Sequence, residues 1–291
     1  MARVIRFAHI GLAVSNVAEA ESFYAKVGYR RVWPYRPGVL VNSGGLELHM
    51  MQAEKPSPAA GNVLMDMPDD AKFPGINHMS FGVRSVLATR TYLEGSGIEI
   101  SGTRANLAVF VRDPDRTVLE FERNDGGNED GLVVTADVLS AVPRGGIDHV
   151  GIRVSNPEGA VEWYRRNLGF SKVTMKYELE ADSIKNFRPW IVQTEHGKGQ
   201  ECDINLILNC TNTSCGNALL TKDGVLPGIL YVAFQVEDVA AAAAALRANG
   251  VEVVEDADVG SFGLPPKLLQ PLERKSVFLR DQDLSVLRLI E

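Results

Sequence analysis

Short apolar runs alternate with amphipathic stretches in the same order along the whole chain. Four strand-like runs begin the repeats: FAHIGLAV, GINHMSFGV, IDHVGIRV and GILYVAFQV. Each is followed by a stretch whose apolar residues recur at three- and four-residue steps, the spacing of a helix that packs on one face. Three more strand-like runs come after each of these stretches. The pattern predicts a βαβββ unit that is used four times.

The predicted helices carry start and stop signals. Asn156 followed by Pro157 is an N-cap with proline at the first helical position, and Asp238 is a similar cap. Each helical stretch ends at a glycine, where a left-handed residue is needed, and these glycines are Gly28, Gly97, Gly169 and Gly250.

A sequence pattern that is repeated in the two halves predicts that the units pair in chain order. GNVLMD and FPGINHMSF in the first half return as GNALLT and LPGILYVAF in the second. We therefore expect units one and two to form one half of the molecule, over residues 1–124, and units three and four to form the other, over 147–291. A Gly- and Asp-rich linker over 125–146 joins them. The predicted fold class is α+β, with the units paired into two curved mixed β-sheets and helices on the outer faces.

Charge and composition narrow the function classes. The 291 residues carry a formal net charge of −7 without a basic stripe, which argues against nucleic acid or an anionic membrane as the partner. No segment approaches the roughly 18 apolar residues that a membrane helix needs. Arg3 and Arg6 interrupt the first apolar run, which favours a strand over a signal peptide. Cys202, Cys210 and Cys215 form no CxxC pair and predict reduced thiols in a cytoplasmic protein.

The repeats resemble the vicinal oxygen chelate superfamily. The resemblance lies in the four βαβββ units, in the histidine that opens three of the first strands, and in DPDRTVLEFER, which closes unit two. That superfamily includes glyoxalase I, extradiol dioxygenases, methylmalonyl-CoA epimerase and the bleomycin and fosfomycin resistance proteins. Two units there form one curved sheet whose concave face holds a divalent metal. The resemblance covers essentially the whole chain.

The resemblance implies one metal site, in the N-terminal half. Its ligands come from the first and last strands of each unit, and the matching positions are His9, Glu47, His78 and Glu120. Two imidazoles with carboxylates suit Zn²⁺, Ni²⁺, Fe²⁺, Mn²⁺ or Co²⁺. His49 shares a strand face with Glu47, so it stays open whether Glu47 or His49 is the ligand.

The C-terminal half is expected to have a degenerate site. His149 keeps its position, but Tyr231 replaces the second histidine and Arg288 stands where Glu120 stands in the first half. Asp203 is the one carboxylate left at a corresponding position. Because an arginine repels a cation, we interpret His149 as a remnant of duplication or a hydrogen-bonding residue that takes no part in metal binding.

Three functions fit this constellation. In a lyase or isomerase of the glyoxalase I type, the metal polarises a carbonyl or enediolate oxygen and Glu47 or Glu120 takes a proton from the neighbouring carbon. In an extradiol-type dioxygenase, His9, His78 and Glu120 form a facial triad around Fe²⁺. In a resistance protein of the bleomycin type, the same fold binds a ligand without metal.

The substrate is expected to be a small oxygen-rich metabolite that offers two adjacent oxygens to the metal. Glyoxalase I has an arginine four residues beyond its first histidine to hold a glutathione carboxylate. Ala13 occupies that position in the first half, whereas Arg153 has the right spacing from His149. A glutathione adduct is therefore not predicted, and a homodimer is compatible with the sequence. Residues 256–276 predict an irregular excursion, either a surface loop or a flap over a groove.

Overall fold

A computed structural model describes residues 2–32, 38–41, 45–54, 74–104, 106–123, 147–175, 188–193, 203–208, 219–221, 224–269 and 274–291. The predicted linker and the three cysteines lie outside these residues. No helix in the described part of the chain is long and apolar enough to cross a membrane.

The four predicted βαβββ units are present. Unit one contains β1 (Val4–Val14), α1 (Val17–Lys26), β2 (Arg30–Arg31), β3 (Val39–Val41) and β4 (Glu47–Gln52). Unit two contains β5 (Gly75–Val83), α2 (Val86–Gly95), β6 (Ile100–Arg104), β7 (Ala108–Arg112) and β8 (Val118–Arg123). Unit three contains β9 (His149–Arg153), α3 (Pro157–Leu168), β10 (Lys172–Met175), β11 (Arg188–Gln193) and β12 (Asp203–Leu208).

A small hairpin, β13 (Leu220–Thr221) and β14 (Gly224–Val225), precedes unit four. Unit four contains β15 (Gly228–Val236), α4 (Val239–Ala248), β16 (Val253–Glu255), β17 (Ser276–Arg280) and β18 (Val286–Ile290). Two 3₁₀ helices, Asp256–Phe262 and Pro266–Leu268, lie between β16 and β17.

The helix ends follow the predicted signals. The side chains of Asn156 and Asp238 accept hydrogen bonds from the first turns of α3 and α4. All four predicted C-terminal glycines have the left-handed backbone that favours glycine, with φ between 71° and 93°.

Each of the two eight-stranded sheets combines units that are not the predicted neighbours. One has the order β16-β17-β18-β15-β1-β4-β3-β2 and contains units one and four; we call it the 1/4 sheet. The other has the order β10-β11-β12-β9-β5-β8-β7-β6 and contains units two and three; we call it the 2/3 sheet. The α+β fold class of paired units is confirmed. The expectation that units one and two share a sheet is wrong.

Two glycines explain why an odd-numbered unit pairs with an even-numbered one. At the centre of each sheet the first strands are antiparallel, with Gly11 opposite Tyr231 and Gly151 opposite His78. A Cβ atom on either glycine would lie 2.0 Å from the facing ring. A unit with glycine at this position must therefore pair with a unit that contributes a ring. This requirement is met equally by pairing 1 with 2 and by pairing 1 with 4.

Alternation along the strands separates a helix-covered face from a site face in each sheet. Ile10 and Leu12 of β1, and Met79 and Phe81 of β5, belong to one buried core that includes the apolar faces of all four helices. His9 on β1 and its counterparts in the other units point to the opposite face. The core thus fixes which side of each sheet carries the chemistry.

Buried turns tie the two sheets together. Asp113 accepts hydrogen bonds from the backbone N–H groups of Asp115 and Thr117 and from the hydroxyl of Tyr24, at 3.0, 2.7 and 2.9 Å. Tyr24 lies in unit one and Asp113 in unit two, so this contact joins the sheets. Burial raises the pKa of Asp113 to about 7. The same arrangement recurs at Asp281, which accepts from the hydroxyl of Tyr164 at 2.9 Å.

The segment after β16 covers the site face of the 1/4 sheet. Val259 and Leu264 are fully buried in a second apolar cluster that also contains Tyr231 and Phe278. Of the two predicted forms of this excursion, the structure therefore has a packed cover rather than an exposed loop.

Candidate metal centre

Three donor atoms meet on the site face of the 2/3 sheet. The Nε2 atoms of His78 and His149 are 3.1 Å apart. Glu120 Oε2 lies 3.3 Å from the Nε2 atom of each histidine. All three side chains are buried. The three atoms form a nearly equilateral triangle in a place from which water is largely excluded.

Strand order brings these residues together although they lie far apart in sequence. His78 is on β5, which has β9 on one side and β8 on the other, and these strands carry His149 and Glu120. Gly151 has no side chain, and this leaves room for the His78 ring. A register shift between Ile76 and His78 interrupts the β5–β9 pairing at this point.

The far side of each imidazole is held by the residue that precedes the histidine. His78 Nδ1 donates to Asn77 Oδ1 at 2.7 Å, and His149 Nδ1 donates to Asp148 Oδ2 at 2.9 Å. Such an acceptor fixes the ring orientation and directs the Nε2 lone pair towards the triangle. This is the arrangement of histidines that bind metals.

The residues present fit a divalent ion. Donor atoms about 2.1 Å from a shared ion lie about 3.0 to 3.4 Å apart in octahedral or tetrahedral arrangements. The three observed separations fall in this interval. The second oxygen of Glu120, Oε1, is buried without a hydrogen-bond partner among the described residues, and Arg104 Nη2 lies 3.5 Å away. Arg104 also donates to Glu122 at 2.8 Å.

Protonation of the group follows from burial and close charges. Burial alone would lower the pKa of His149, but hydrogen bonds with Asp148 and Glu120 outweigh it and raise this pKa to about 10. Burial lowers the pKa of His78. Burial would raise the pKa of Glu120, yet the hydrogen bond from His149 and the charge on that ring hold it well below its usual range. Without metal, a proton on His149 neutralises the Glu120 carboxylate, and a cation would displace that proton.

The corresponding face of the 1/4 sheet has a different chemistry. The ring of His9 stacks on that of His49 at 3.9 Å, and His49 Nε2 donates to Glu47 Oε2 at 2.7 Å. Tyr231 meets the His9 ring edge-on at 5.6 Å. Arg288 is fully buried here. Among the described residues, no group of three carboxylate or imidazole side chains that could hold a metal lies on this face.

The structure divides the predicted ligand set between the sheets. His9 and Glu47 belong to the 1/4 sheet, whereas His78 and Glu120 belong to the 2/3 sheet. The four cannot surround one ion on a single sheet as expected. His149, which was expected to take no part, lies beside His78 and Glu120 instead. The physical reason is the pairing of β5 with β9, which brings unit three to unit two.

A local signal in the sequence marks the histidines that meet. Polar Asn77 and Asp148 precede them, whereas apolar Ala8 and Leu230 precede the matching residues of the 1/4 sheet. Because a metal-binding imidazole needs an acceptor for its other nitrogen, this difference favours the 2/3 sheet.

Two further residues occupy relevant positions in unit three. Asp203 on β12 is the register partner of His149, just as Glu47 on β4 is the register partner of His9. Arg153 is buried and lies four residues beyond His149, so strand alternation places both on the same face of β9.

Comparisons with known proteins agree with this fold. The chain aligns with a Bacillus subtilis protein described as a "putative dioxygenase" at 15% identity, over 100% of this chain and 86% of that one, with a TM-score of 0.60. It aligns with glyoxalase I from Zea mays at 16% identity, over 98% of this chain and 92% of that one, with a TM-score of 0.54. The cppA protein of Streptococcus pneumoniae aligns at 13% identity over 99% and 98%, with a TM-score of 0.51.

The fold defines a class of proteins in which βαβββ units pair into two sheets. A family model for the Glyoxalase/Bleomycin resistance protein/Dioxygenase superfamily matches residues 6–121 and 146–263. The chain belongs to this superfamily. None of the curated proteins matches the chain significantly.

Proposed function

We propose that the chain is a divalent-metal-dependent enzyme whose ion is held by His78, Glu120 and His149, and that it carries out lyase or isomerase chemistry. The observation that carries the proposal is the triangle of donor atoms, with sides of 3.1, 3.3 and 3.3 Å. The hydrogen bonds from the distal nitrogens to Asn77 and Asp148 support it, because they hold both rings ready to bind.

The ion would polarise a carbonyl or enediolate oxygen of the substrate. Glu120 is the proposed base, which takes a proton from the carbon next to the carbonyl group and returns it when the product forms. Its carboxylate is anionic and buried, and its Oε1 atom lies 3.5 Å from the Arg104 guanidinium without a closer hydrogen bond among the described residues. Glu47, the other base suggested by the sequence, belongs to the other sheet and has no part in this proposal.

The proposed substrate is a small oxygen-rich metabolite with an anionic group. Arg153 supports the negative charge, because its guanidinium is always protonated and it shares the strand face of His149. The first half lacks an arginine four residues beyond its histidine, and this argued against a glutathione adduct. Such an arginine, Arg153, is present in the unit that contributes His149. The proposed substrate class therefore includes an adduct that carries a carboxylate.

A second candidate is an Fe²⁺-dependent extradiol-type dioxygenase. The observation that favours it is the kind of donors that meet, because two histidines and one carboxylate are the ligand set of a facial triad. Asp203 separates the two reactions. A lyase with four protein ligands would use it, whereas a dioxygenase would leave that position to its substrate or oxygen.

The test is metal content after purification without an affinity tag. We expect about one equivalent in the unaltered protein, loss of the metal in His149→Ala, and retention in His9→Ala, which changes the matching histidine of the other sheet. The opposite pattern, with loss in His9→Ala and retention in His149→Ala, would contradict the proposal. Absence of metal even after reconstitution would indicate a metal-free binding protein.

Two measurements then identify the reaction class. Zn, Ni, Co or Mn without oxygen uptake, together with weaker metal binding in Asp203→Asn, supports the lyase or isomerase. Iron with oxygen uptake on catechols, and unchanged metal binding in Asp203→Asn, supports the dioxygenase.

A further inference from the structure

The site face of the 1/4 sheet has buried polar atoms that its own structure does not satisfy. His9 Nε2, Tyr231 Oη, and Arg288 Nε and Nη1 make no hydrogen bond of good geometry with the described residues, although Arg288 lies close enough to Tyr231 to act on its hydroxyl. All three side chains are at least 98% buried. Leaving a buried polar group unpaired costs about 1 to 3 kcal/mol, so several in one place call for an external partner.

The unsatisfied atoms are mainly hydrogen-bond donors. Arg288 has one N–H on Nε and two on Nη1, and it cannot act as an acceptor. Burial raises the pKa of Tyr231 to about 12, so its hydroxyl keeps its proton. His9 is neutral, because burial and then the nearby His49 and Arg288 lower its pKa. A neutral imidazole can present Nε2–H to an acceptor.

The polar side chains around Arg288 bind it mainly through one of its three nitrogens. Arg288 Nη2 donates to Asp256 and to Ser276 Oγ. The Asp256 side chain is 39% exposed, so solvent screens its charge. Glu47, the other nearby carboxylate, accepts from His49 and is 34% exposed. Both carboxylates lie towards solvent, while the unsatisfied donors lie deeper.

The two sheets differ in charge at equivalent positions. Arg288 on β18 corresponds to Glu120 on β8, and Tyr231 on β15 corresponds to His78 on β5. The acceptor and lone-pair groups that face a cation in the 2/3 sheet are thus replaced by donors and a fixed positive charge. A face with these groups is complementary to an anion.

We propose that the 1/4 sheet binds a small carboxylate through Arg288, Tyr231 and His9. The oxygens of a carboxylate are acceptors only, and they match N–H and O–H donors that have no other partner. The aromatic rings of Phe278 and Tyr231 lie beside the guanidinium, with centroids 4.8 and 6.0 Å from its carbon, and help to fix its orientation. This site is independent of metal binding in the 2/3 sheet.

Sodium acetate is the probe, and acetamide is its uncharged control. Calorimetric titration of the metal-loaded protein should show saturable binding of acetate and none of acetamide. The titration is repeated in Glu120→Gln, which alters the 2/3 sheet, and acetate binding should persist there. This variant separates the proposed site from acetate bound directly to a metal ion.

Three variants locate the site. Tyr231→Phe keeps the ring packing and should weaken acetate binding about tenfold, because one hydrogen bond to a charged group is lost. Arg288→Met should abolish acetate binding. Arg280→Met changes a neighbouring arginine that is paired with Glu252, and it should bind acetate as the unaltered protein does.

The results that would overturn the proposal are equally specific. Absence of acetate binding by the unaltered protein means that ordered water alone satisfies the donors. Equal affinity in Tyr231→Phe, or loss of binding only in Glu120→Gln, places acetate elsewhere. Because Tyr231→Phe removes a single oxygen, it stays informative even if Arg288→Met does not fold.

Discussion

Asp148 shows how a neighbouring residue makes one histidine different from another. His149 donates Nδ1–H to Asp148, which fixes the ring and makes Nε2 more basic. His9 stands at the same position of its unit but follows Ala8, and its Nε2 has no partner among the described residues. Two imidazoles with the same place in the repeat therefore have different surroundings, and this difference supports the proposal that His149, and not His9, is a metal ligand.

Replacing Asp148 by Asn should weaken metal binding by about 10- to 100-fold, because an outer acceptor of a metal-binding histidine is lost. Competition with a chelator of known affinity measures the change. Asp256→Asn is the matched control, since it removes the carboxylate partner of Arg288 in the other sheet and should leave metal affinity unchanged. Equal weakening in both variants would argue against a special role for Asp148.

The residues of the site were predictable in part. His78 and Glu120 belong to both the predicted and the proposed ligand set, and strand alternation predicts the face on which Glu120 lies. The predicted pairing of units three and four groups His149 with Tyr231 and Arg288, which belong to a different sheet. The Asn77 and Asp148 acceptors are visible in the sequence and could have corrected this.

The pairing of β5 with β9 is the structural feature on which the proposed metal centre depends. Gly151 on β9 faces His78, and a methyl group there would lie 2.0 Å from the imidazole. Gly11 on β1 has the same relation to Tyr231. The two glycines impose the same packing requirement on the two sheets, but only one of the facing rings is a proposed metal ligand.

Gly151→Ala should lower the free energy of unfolding by about 1 to 3 kcal/mol, since it overpacks the strand pair, and it should also lower metal affinity. Gly11→Ala should destabilise the protein by a similar amount and leave metal affinity unchanged. Chemical denaturation and metal titration of both variants check this. Unaltered metal binding in Gly151→Ala would show that the His78 ring does not depend on this contact.

The elements themselves were largely foreseen from sequence, whereas their pairing was not. Hydrophobic spacing, caps and glycines identify the βαβββ units because these signals are local. The glycine–ring rule that joins two units is satisfied by either of two arrangements, and each arrangement yields one set of two histidines and two carboxylates. The glycines and rings of the first strands do not distinguish unit two from unit four as the partner of unit one. The local difference that does is the polar residue, Asn77 or Asp148, before the histidine in units two and three.

At the scale of the whole molecule, each sheet contains strands from both the N-terminal and the C-terminal half of the sequence. β1 pairs with β15, and β5 pairs with β9, so each central strand pair joins residues from both predicted halves. Tyr24 and Asp113 form a buried hydrogen bond between units one and two, and Tyr164 and Asp281 do the same for units three and four. The halves are contiguous in sequence but not self-sufficient in strand pairing.

Residues 1–124 or 147–291 expressed alone should therefore lack cooperative unfolding, because each would expose the edges of two unpaired central strands. Mixing the fragments should restore a cooperative transition and metal binding, since His149 lies in the second fragment. Circular dichroism and co-purification provide the measurement. A fragment 1–124 that folds and retains metal by itself would contradict the need for the second half, and it would show that units one and two can pair with each other.

Each sheet takes one unit from each half of the sequence, and this affects how the side chains on the two site faces can change in evolution. Tyr231 and Arg288 both belong to unit four, while unit one still has His9 and Glu47 at its ligand positions. Substitutions in a single repeat are thus enough to give one sheet a new specificity, and they do not touch the other sheet. Duplicated copies arranged in this way can acquire separate tasks one module at a time.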